Sequence, residues 1–284
     1  MGGPDYREPT IVDLLNDRQR AAYEQALRQH GLILAVGPTG SGKAALLYHG
    51  MRMLRRLRGQ SVPMATIEWV ARGPLEDATR VVVSSKDGVT FDSALQRLAS
   101  DGTKAFLVGE IHDLATAMEA VRLTTQRRRL ILSTLHTQDA PHALQRLLNI
   151  GVPASSVGES VVLVFALRAM RELCPECREL LRLPPHALKV VGYADDEIAE
   201  GLTLWEPNRA GCIHCTNGFR GRHYVCQMLP MTDGIRAALV DGDVRDIRRV
   251  AADEGMKSLR RELLDAAKTG NVWIADISDG GGDT

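Results

Sequence analysis

Aromatic residues are scarce in this chain, 4% of 284 residues, and neither sign of charge prevails, with 35 Lys+Arg against 35 Asp+Glu. The balance removes the basic footprint that non-specific binding to a phosphate backbone requires, so nucleic acid is not the expected partner. Long apolar runs are missing too. The longest, VVLVFAL at 161–167, falls far short of the roughly 20 residues that cross a bilayer, and no membrane span is expected. The N-terminal MGGPDYREPT carries Asp5 and Glu8 and no apolar core, unlike a secretory signal. An intracellular protein is expected. Cysteines number five, an odd count that speaks against a disulfide framework. What remains is an ordinary apolar content, 44%, enough to bury a core against the entropy of ordering the chain.

Short apolar runs alternate with helical patterns from residue 31 onward: GLILAVG (31–37), VPMATIE (62–68), RVVVS (80–84), AFLVGE (105–110) and LILSTL (130–135). Between them, Leu46, Leu47, Met51, Leu54 and Leu57 recur at helical spacing, as do Leu114, Ala117, Met118, Val121 and Leu123. Continuous apolar strands alternating with helices predict an α/β core whose parallel sheet is covered on both faces. The expected division is a lead-in helix or linker over 1–30, the core over 31–165, a cysteine-bearing subdomain over 166–230, and a helical region over 231–284 ending in a polar tail.

GPTGSGKA at 37–44 follows the first strand and opens a helix, the context of a P-loop. The predicted phosphate-binding residues are Gly37, Pro38, Thr39, Gly40, Ser41, Gly42, Lys43 and Ala44. The glycines let successive N–H groups turn toward a phosphate, and Lys43 reaches it as a point charge. A plain Gly-rich connection is the weaker alternative. The residue after the lysine should be Ser or Thr to ligate Mg²⁺. Ala44 has no oxygen to offer, so the expected Mg²⁺ site is weakened.

Cys174 and Cys177, then Cys212 and Cys215, form two C-x₂-C pairs separated by 34 residues (178–211). Two such turns close a tetrahedral, structural Zn²⁺ site with no open position. A redox pair is the weaker reading, because it needs one CxxC in a thioredoxin-like context. His214 is expected to be exposed and Cys226 to be a small buried hydrophobe.

GLILAVGPTGSGK, TIE, GVTF, LVGEIHD, STLHTQDA, the CxxC pairs and GFRGR occur in one order. Together they resemble the C-terminal ATPase domain of the type II secretion and type IV pilus assembly ATPases, from about Ile11 to Ile277. The N-terminal domains of such ATPases have no counterpart in the sequence. The resemblance implies a RecA-like P-loop NTPase core, an appended zinc-binding subdomain and a helical C-terminal region. It implies ATP as ligand, with Glu110 as the Walker B carboxylate, Glu68 in the acidic box and His136 in the histidine box as catalytic residues. Taken alone, Glu110 has the plain alternative of a surface acid on a strand end, and His136 is more often a satisfied structural histidine; the surrounding motifs favour the functional reading. Also implied are a homo- or hetero-oligomer, hexameric in the family, an inner-membrane platform protein as partner, and a cytoplasmic location, peripheral at the inner membrane through partners.

Departures from the pattern fall around the chemistry. Trp69 stands where an aspartate follows TIE, Gln96 and Ser100 stand at arginine positions, His112 replaces the arginine of GEIRD, and Arg127–Arg129 replace TGH. Cations and metal-bound oxygens carry most transition-state stabilisation in phosphoryl transfer. An ATP-binding subunit with weakened hydrolysis is therefore expected, with a non-catalytic pseudo-ATPase that regulates an intact ATPase as the alternative. A zinc-stabilised nucleic-acid binder is disfavoured by the zero net charge. The arginines of 52–58 and 245–249 are expected on solvated helix faces.

Overall fold

The computed structural model describes residues 9–59, 61–70, 73, 75–84 and 86–280. In chain order the elements are α1 (Ile11–Leu14), α2 (Asp17–Leu27), β1 (Gly31–Val36), α3 (Lys43–Arg58), β2 (Met64–Glu68), β3 (Ala78–Val82), α4 (Phe91–Ser100), β4 (Ala105–Val108), α5 (Leu114–Thr125), β5 (Leu130–Leu135), α6 (Ala140–Asn149), α7 (Ala154–Ser160) and β6 (Val161–Leu173). There follow β7 (Glu179–Leu181), α8 (Pro185–Val191), α9 (Asp195–Ala199), β8 (Leu204–Glu206), β9 (Phe219–Pro230), α10 (Asp233–Asp241), α11 (Val244–Asp253), α12 (Leu259–Lys268) and α13 (Ile274–Gly280).

Two compact units emerge. One comprises 9–167 and 227–256, the other 168–226 and 257–280 among the described residues. The C-terminal stretch 231–284, read from sequence as one helical region, is thus divided between the units, and 9–30 belongs with the core.

The first unit holds strands in the order β3-β2-β4-β5-β1-β6, with residues 161–167 of β6, and the pairs from β3 through β6 are parallel. Every residue of β1, β2, β4 and β5 is buried. This explains their continuous apolar spelling: a parallel strand roofed by helices on both faces has no wet side. Edge strand β3 is half-exposed, which accounts for its mixed spelling. The register pairs Val36 with Leu135, Val108 with Ser133 and Ile67 with Val108. The carboxyl ends of β1, β5, β4 and β2 therefore lie side by side, where ligands bind in open α/β sheets.

Helix α3 buries Leu46, Leu47, Met51 and Leu54, as its spacing predicts. The Tyr23 hydroxyl of α2 donates to the Leu46 carbonyl at 3.1 Å, and any Cβ at Gly50 would run into that hydroxyl. In α5, Ala117, Val121 and Leu123 face inward, but Leu114 and Met118 of the same apolar pattern are 45% and 40% exposed.

The second unit has little sheet, an antiparallel pair of β7 with β8. Polar and cationic contacts hold much of the rest. Glu197 accepts from both Arg261 and Lys268, the Tyr193 hydroxyl donates to the Leu264 carbonyl at 3.0 Å, and Arg178 lies 4.6 Å over the Trp205 ring while bonding the Gly270 carbonyl at 2.5 Å.

Candidate phosphate site and metal centre

Between β1 and α3 the chain turns through Gly37 (φ 136°), Gly40 (φ 81°) and Gly42 (φ 95°), all in territory that side chains avoid. At Gly37 a Cβ would also collide with the Leu167 carbonyl. Helix α3 starts at Lys43 with no side-chain cap and no acidic residue in its first turn, so its own first turn offers no negative charge to the positive end of the helix dipole. Lys43 Nζ donates to the carbonyls of Gly37 at 2.7 Å and Pro38 at 2.8 Å, folded over its own loop. Ser41 is 1% exposed, and its hydroxyl has no hydrogen-bond partner among the described residues. These features fit a phosphate. Ala44 sits half-buried in the first turn of α3 and presents only a methyl group, so the residues do not fit a loop-bound Mg²⁺ ligand.

Glu68 closes β2. It is 6% exposed, and its Oε2 accepts from the Tyr48 hydroxyl of α3 at 2.7 Å. Sequence reasoning missed Tyr48, which reads in the sequence as one more apolar residue of the α3 stripe. Strand β4 stops at Val108, two residues before Glu110, and hydrogen bonds carry the alignment further. Gly109 N–H donates to the Ile67 carbonyl at 2.8 Å, Ile111 N–H to the Thr134 carbonyl at 3.0 Å, and the Thr134 hydroxyl to the Gly109 carbonyl at 2.6 Å. His136 follows β5 directly. Its Nε2 lies 3.5 Å from Glu110 Oε2, with side-chain exposures of 54% and 28%. The fold thus brings Glu110 and His136 together, while Lys43 engages its own loop and Glu68 engages α3.

The departures also have a geometry. Trp69, 51% exposed, meets Phe91 edge-on at 5.1 Å between ring centroids. His112 packs 5.7 Å from Phe91 and 6.1 Å from Trp69, and its Nε2 lies 2.9 Å from Asp113 Oδ2. Gln96 and Ser100 are exposed on α4, where the Ser100 hydroxyl donates back to the Gln96 carbonyl at 2.9 Å. Arg127 and Arg128 are exposed in the turn between α5 and β5. One expected surface arginine, its side chain 41% exposed, pairs with a buried carboxylate. Arg248 reaches Asp139 Oδ2 at 2.8 Å, whereas Arg245 and Arg249 pair locally with Asp243 and Asp246.

In the second unit, the ligand atoms of Cys174, Cys177, Cys212 and Cys215 all lie within 4.8 Å of one another. Neighbouring sulfurs are separated by 3.8 Å (Cys174–Cys212), 3.6 Å (Cys177–Cys215) and 3.7 Å (Cys212–Cys215). A tetrahedron with Zn–S bonds of about 2.3 Å has edges of about 3.8 Å, so these three separations match a tetrahedral zinc site and the cluster is a candidate for one. Backbone N–H groups of Cys212 and His214 point at the sulfurs of Cys215 and Cys212, at 3.3 and 3.4 Å. Desolvation opposes the Cys215 thiolate, but the Cys212 N–H and the facing thiols outweigh it and bring its pKa down to about 7. Desolvation and the surrounding sulfurs hold the Cys177 proton on more tightly. His214 is exposed and Cys226 is buried, as expected.

Residues 12–278 match the family model described as Type II/IV secretion system protein. The chain is 33% identical over 263 residues to the type IV pilus assembly ATPase PilB of Acinetobacter baylyi, covering 92% of this chain and 44% of that protein. It is 34% identical over 249 residues to the type II secretion system protein E of Dickeya dadantii, covering 87% and 48%. The chain therefore spans less than half the length of these curated relatives. Among solved structures, the pilus retraction motor PilT with bound ADP superposes with a TM-score of 0.65 at 18% identity, covering 98% of this chain and 68% of that one. The Legionella pneumophila ATPase DotB superposes at 0.64 and 15% identity, covering 95% and 64%. The fold is thus shared with the secretion ATPases, and the chain belongs to the type II/IV secretion system protein family.

Proposed function

We propose that this chain is an ATP-binding, RecA-like subunit of a type II secretion or type IV pilus machine, with weakened hydrolysis. The observation that carries the reading is the loop 37–43. Its glycines adopt positive φ in a tight turn, α3 opens behind it without a side-chain cap, and Lys43 folds over it. On phosphate binding, Lys43 exchanges the Gly37 and Pro38 carbonyls for phosphate oxygens. Glu110, with His136 beside it, orients and accepts a proton from the attacking water. The Glu68 carboxyl group is held in place by the Tyr48 hydroxyl.

Hydrolysis is weak in this reading because the groups that neutralise developing charge are replaced. Ala44 withdraws the metal ligand, and a ring cluster of Trp69, Phe91 and His112 occupies the place of an acid and a cation. The same cluster favours the second reading, a pseudo-ATPase that assembles with an intact ATPase. The four cysteines hold one structural Zn²⁺, supported by the sulfur separations. The reading includes hexameric assembly, docking on an inner-membrane platform protein and a cytoplasmic location, each carried over from the family resemblance. No helix among the described residues is long and apolar enough to cross a membrane.

The test is ATP binding and multiple-turnover hydrolysis on the purified chain, with and without Mg²⁺. Binding with slow turnover is expected. Binding with no turnover selects the pseudo-ATPase, and absence of nucleotide binding overturns both readings.

A further inference from the structure

His136 stands at the exposed end of a short turn. Its side chain is 54% exposed, and it begins a four-residue turn, His136 to Asp139, between β5 and α6. The far end of that turn, by contrast, is fastened. Asp139 caps α6, its carboxylate 7% exposed and accepting from His142 N–H at 2.9 Å. It also meets His142 Nδ1 at 2.7 Å and Arg248 at 2.8 Å. The first N–H of α6, from Ala140, is donated to the Oε1 of buried Gln227 at 3.0 Å. Pro141 has no N–H, and Ala143 N–H returns to the Asp139 carbonyl at 3.3 Å. Every first-turn donor of α6 is accounted for, so this helix end serves as an anchor. Two of the anchoring groups come from far along the chain, Gln227 from β9 and Arg248 from α11.

We propose that Gln227 and Arg248 are positioning residues for His136, locking the His136–Asp139 turn so that the imidazole stays against Glu110. The effect on chemistry rests on the reading of Glu110 and His136 as part of a nucleotide site. The anchoring does not. Withdrawal of Arg248 leaves a buried carboxylate without its cation, and withdrawal of Gln227 leaves a buried N–H unpaired. Either change lets the turn relax, and His136 moves with it.

The experiment uses the full chain labelled with ¹⁵N-histidine, with the His136 ring resonances assigned through His136→Asn. Arg248→Ala, Arg248→Lys and Gln227→Ala are compared with Arg249→Ala. Arg249 lies on the same helix, is 65% exposed and pairs with Asp246 and Asp253 of that helix. The His136 resonances and their pH titration should shift in Arg248→Ala and Gln227→Ala, return toward wild type in Arg248→Lys, and stay unchanged in Arg249→Ala. Single-turnover ATP cleavage should fall by up to about a hundredfold in the two alanine variants, while ATP affinity changes by less than about twofold. Unchanged His136 resonances in both alanine variants would overturn the proposal. A chain that binds no ATP would overturn the nucleotide reading instead, leaving the His136 resonances to decide this one. If Arg248→Ala fails to fold, Gln227→Ala and Arg248→Lys decide it.

Discussion

The hydroxyl of Tyr48 lies 2.7 Å from Glu68 Oε2, both side chains buried, tying the helix behind the phosphate loop to the carboxylate that closes β2. Tyr48→Phe removes that donor from a carboxylate that cannot turn to water. The expected cost is about 1–3 kcal/mol of stability in the unit that contains both residues, together with slower ATP cleavage and little change in ATP affinity. Denaturant unfolding alongside single-turnover kinetics checks it. A variant as stable and as active as wild type would remove Glu68 from the list of positioned charges.

Lys43→Ala should lower ATP affinity by about ten- to hundredfold, the worth of a charge-assisted contact to phosphate. Ala44→Thr restores a hydroxyl at the metal position. It should tighten binding only in the presence of Mg²⁺ and leave turnover low, because Gln96, Ser100 and His112 still stand where the family resemblance calls for cations. Titration with and without Mg²⁺, followed by steady-state assay, separates these effects. Turnover of Ala44→Thr at the level of an active secretion ATPase would show that the lost metal ligand alone weakens the site.

Metal analysis should find about one Zn²⁺ per chain, bound by Cys174, Cys177, Cys212 and Cys215. Chelation should loosen residues 168–226 and 257–280, seen as faster amide exchange there, while the sheet unit keeps its protection. A metal-free protein whose cysteines all alkylate in the folded state would contradict the assignment.

Hydrogen bonds from Arg261, then Lys268, then the Ala194 N–H hold Glu197 well below the usual carboxylate range. A carboxylate depressed in this way contributes stability in full above its unfolded pKa of about 4.3, and the contribution is lost as pH falls through the lower folded value. Its side chain is 15% exposed, so screening by water is limited. Glu197→Gln should therefore cost the second unit about 1–3 kcal/mol at neutral pH. The difference from wild type should stay level down to about pH 4.3 and close only in stronger acid. Unfolding curves at stepped pH test this. A difference that already closes between pH 7 and 5 would point to a histidine instead.

Several features were legible along the chain because their chemistry is local. The buried strands announce themselves as unbroken apolar runs, since a parallel strand covered on both faces has no polar side to spell. Gly37, Gly40 and Gly42 mark positions where backbone conformation leaves little choice of residue. The paired C-x₂-C spacings mark a candidate metal cluster, and the four sulfurs do lie within 4.8 Å of one another. The α5 pattern was less informative, since an apolar residue such as Met118 signals hydrophobicity without saying which helix face meets the core.

Residue identity by itself determined the turns, the strands and the chemical inventory: a loop able to cradle phosphate, a missing hydroxyl at Ala44, and four thiols. Only the tertiary structure decided which groups meet. Glu110 and His136 follow different strands and come within 3.5 Å because β4 and β5 are neighbours in register. Asp139 finds Arg248, and Ala140 finds Gln227, across separations of 109 and 87 residues. In the sequence Arg248 is one of several arginines on an amphipathic helix, indistinguishable from Arg245 and Arg249. A charge repeats every turn of a helix, but only packing selects the one that faces a buried carboxylate.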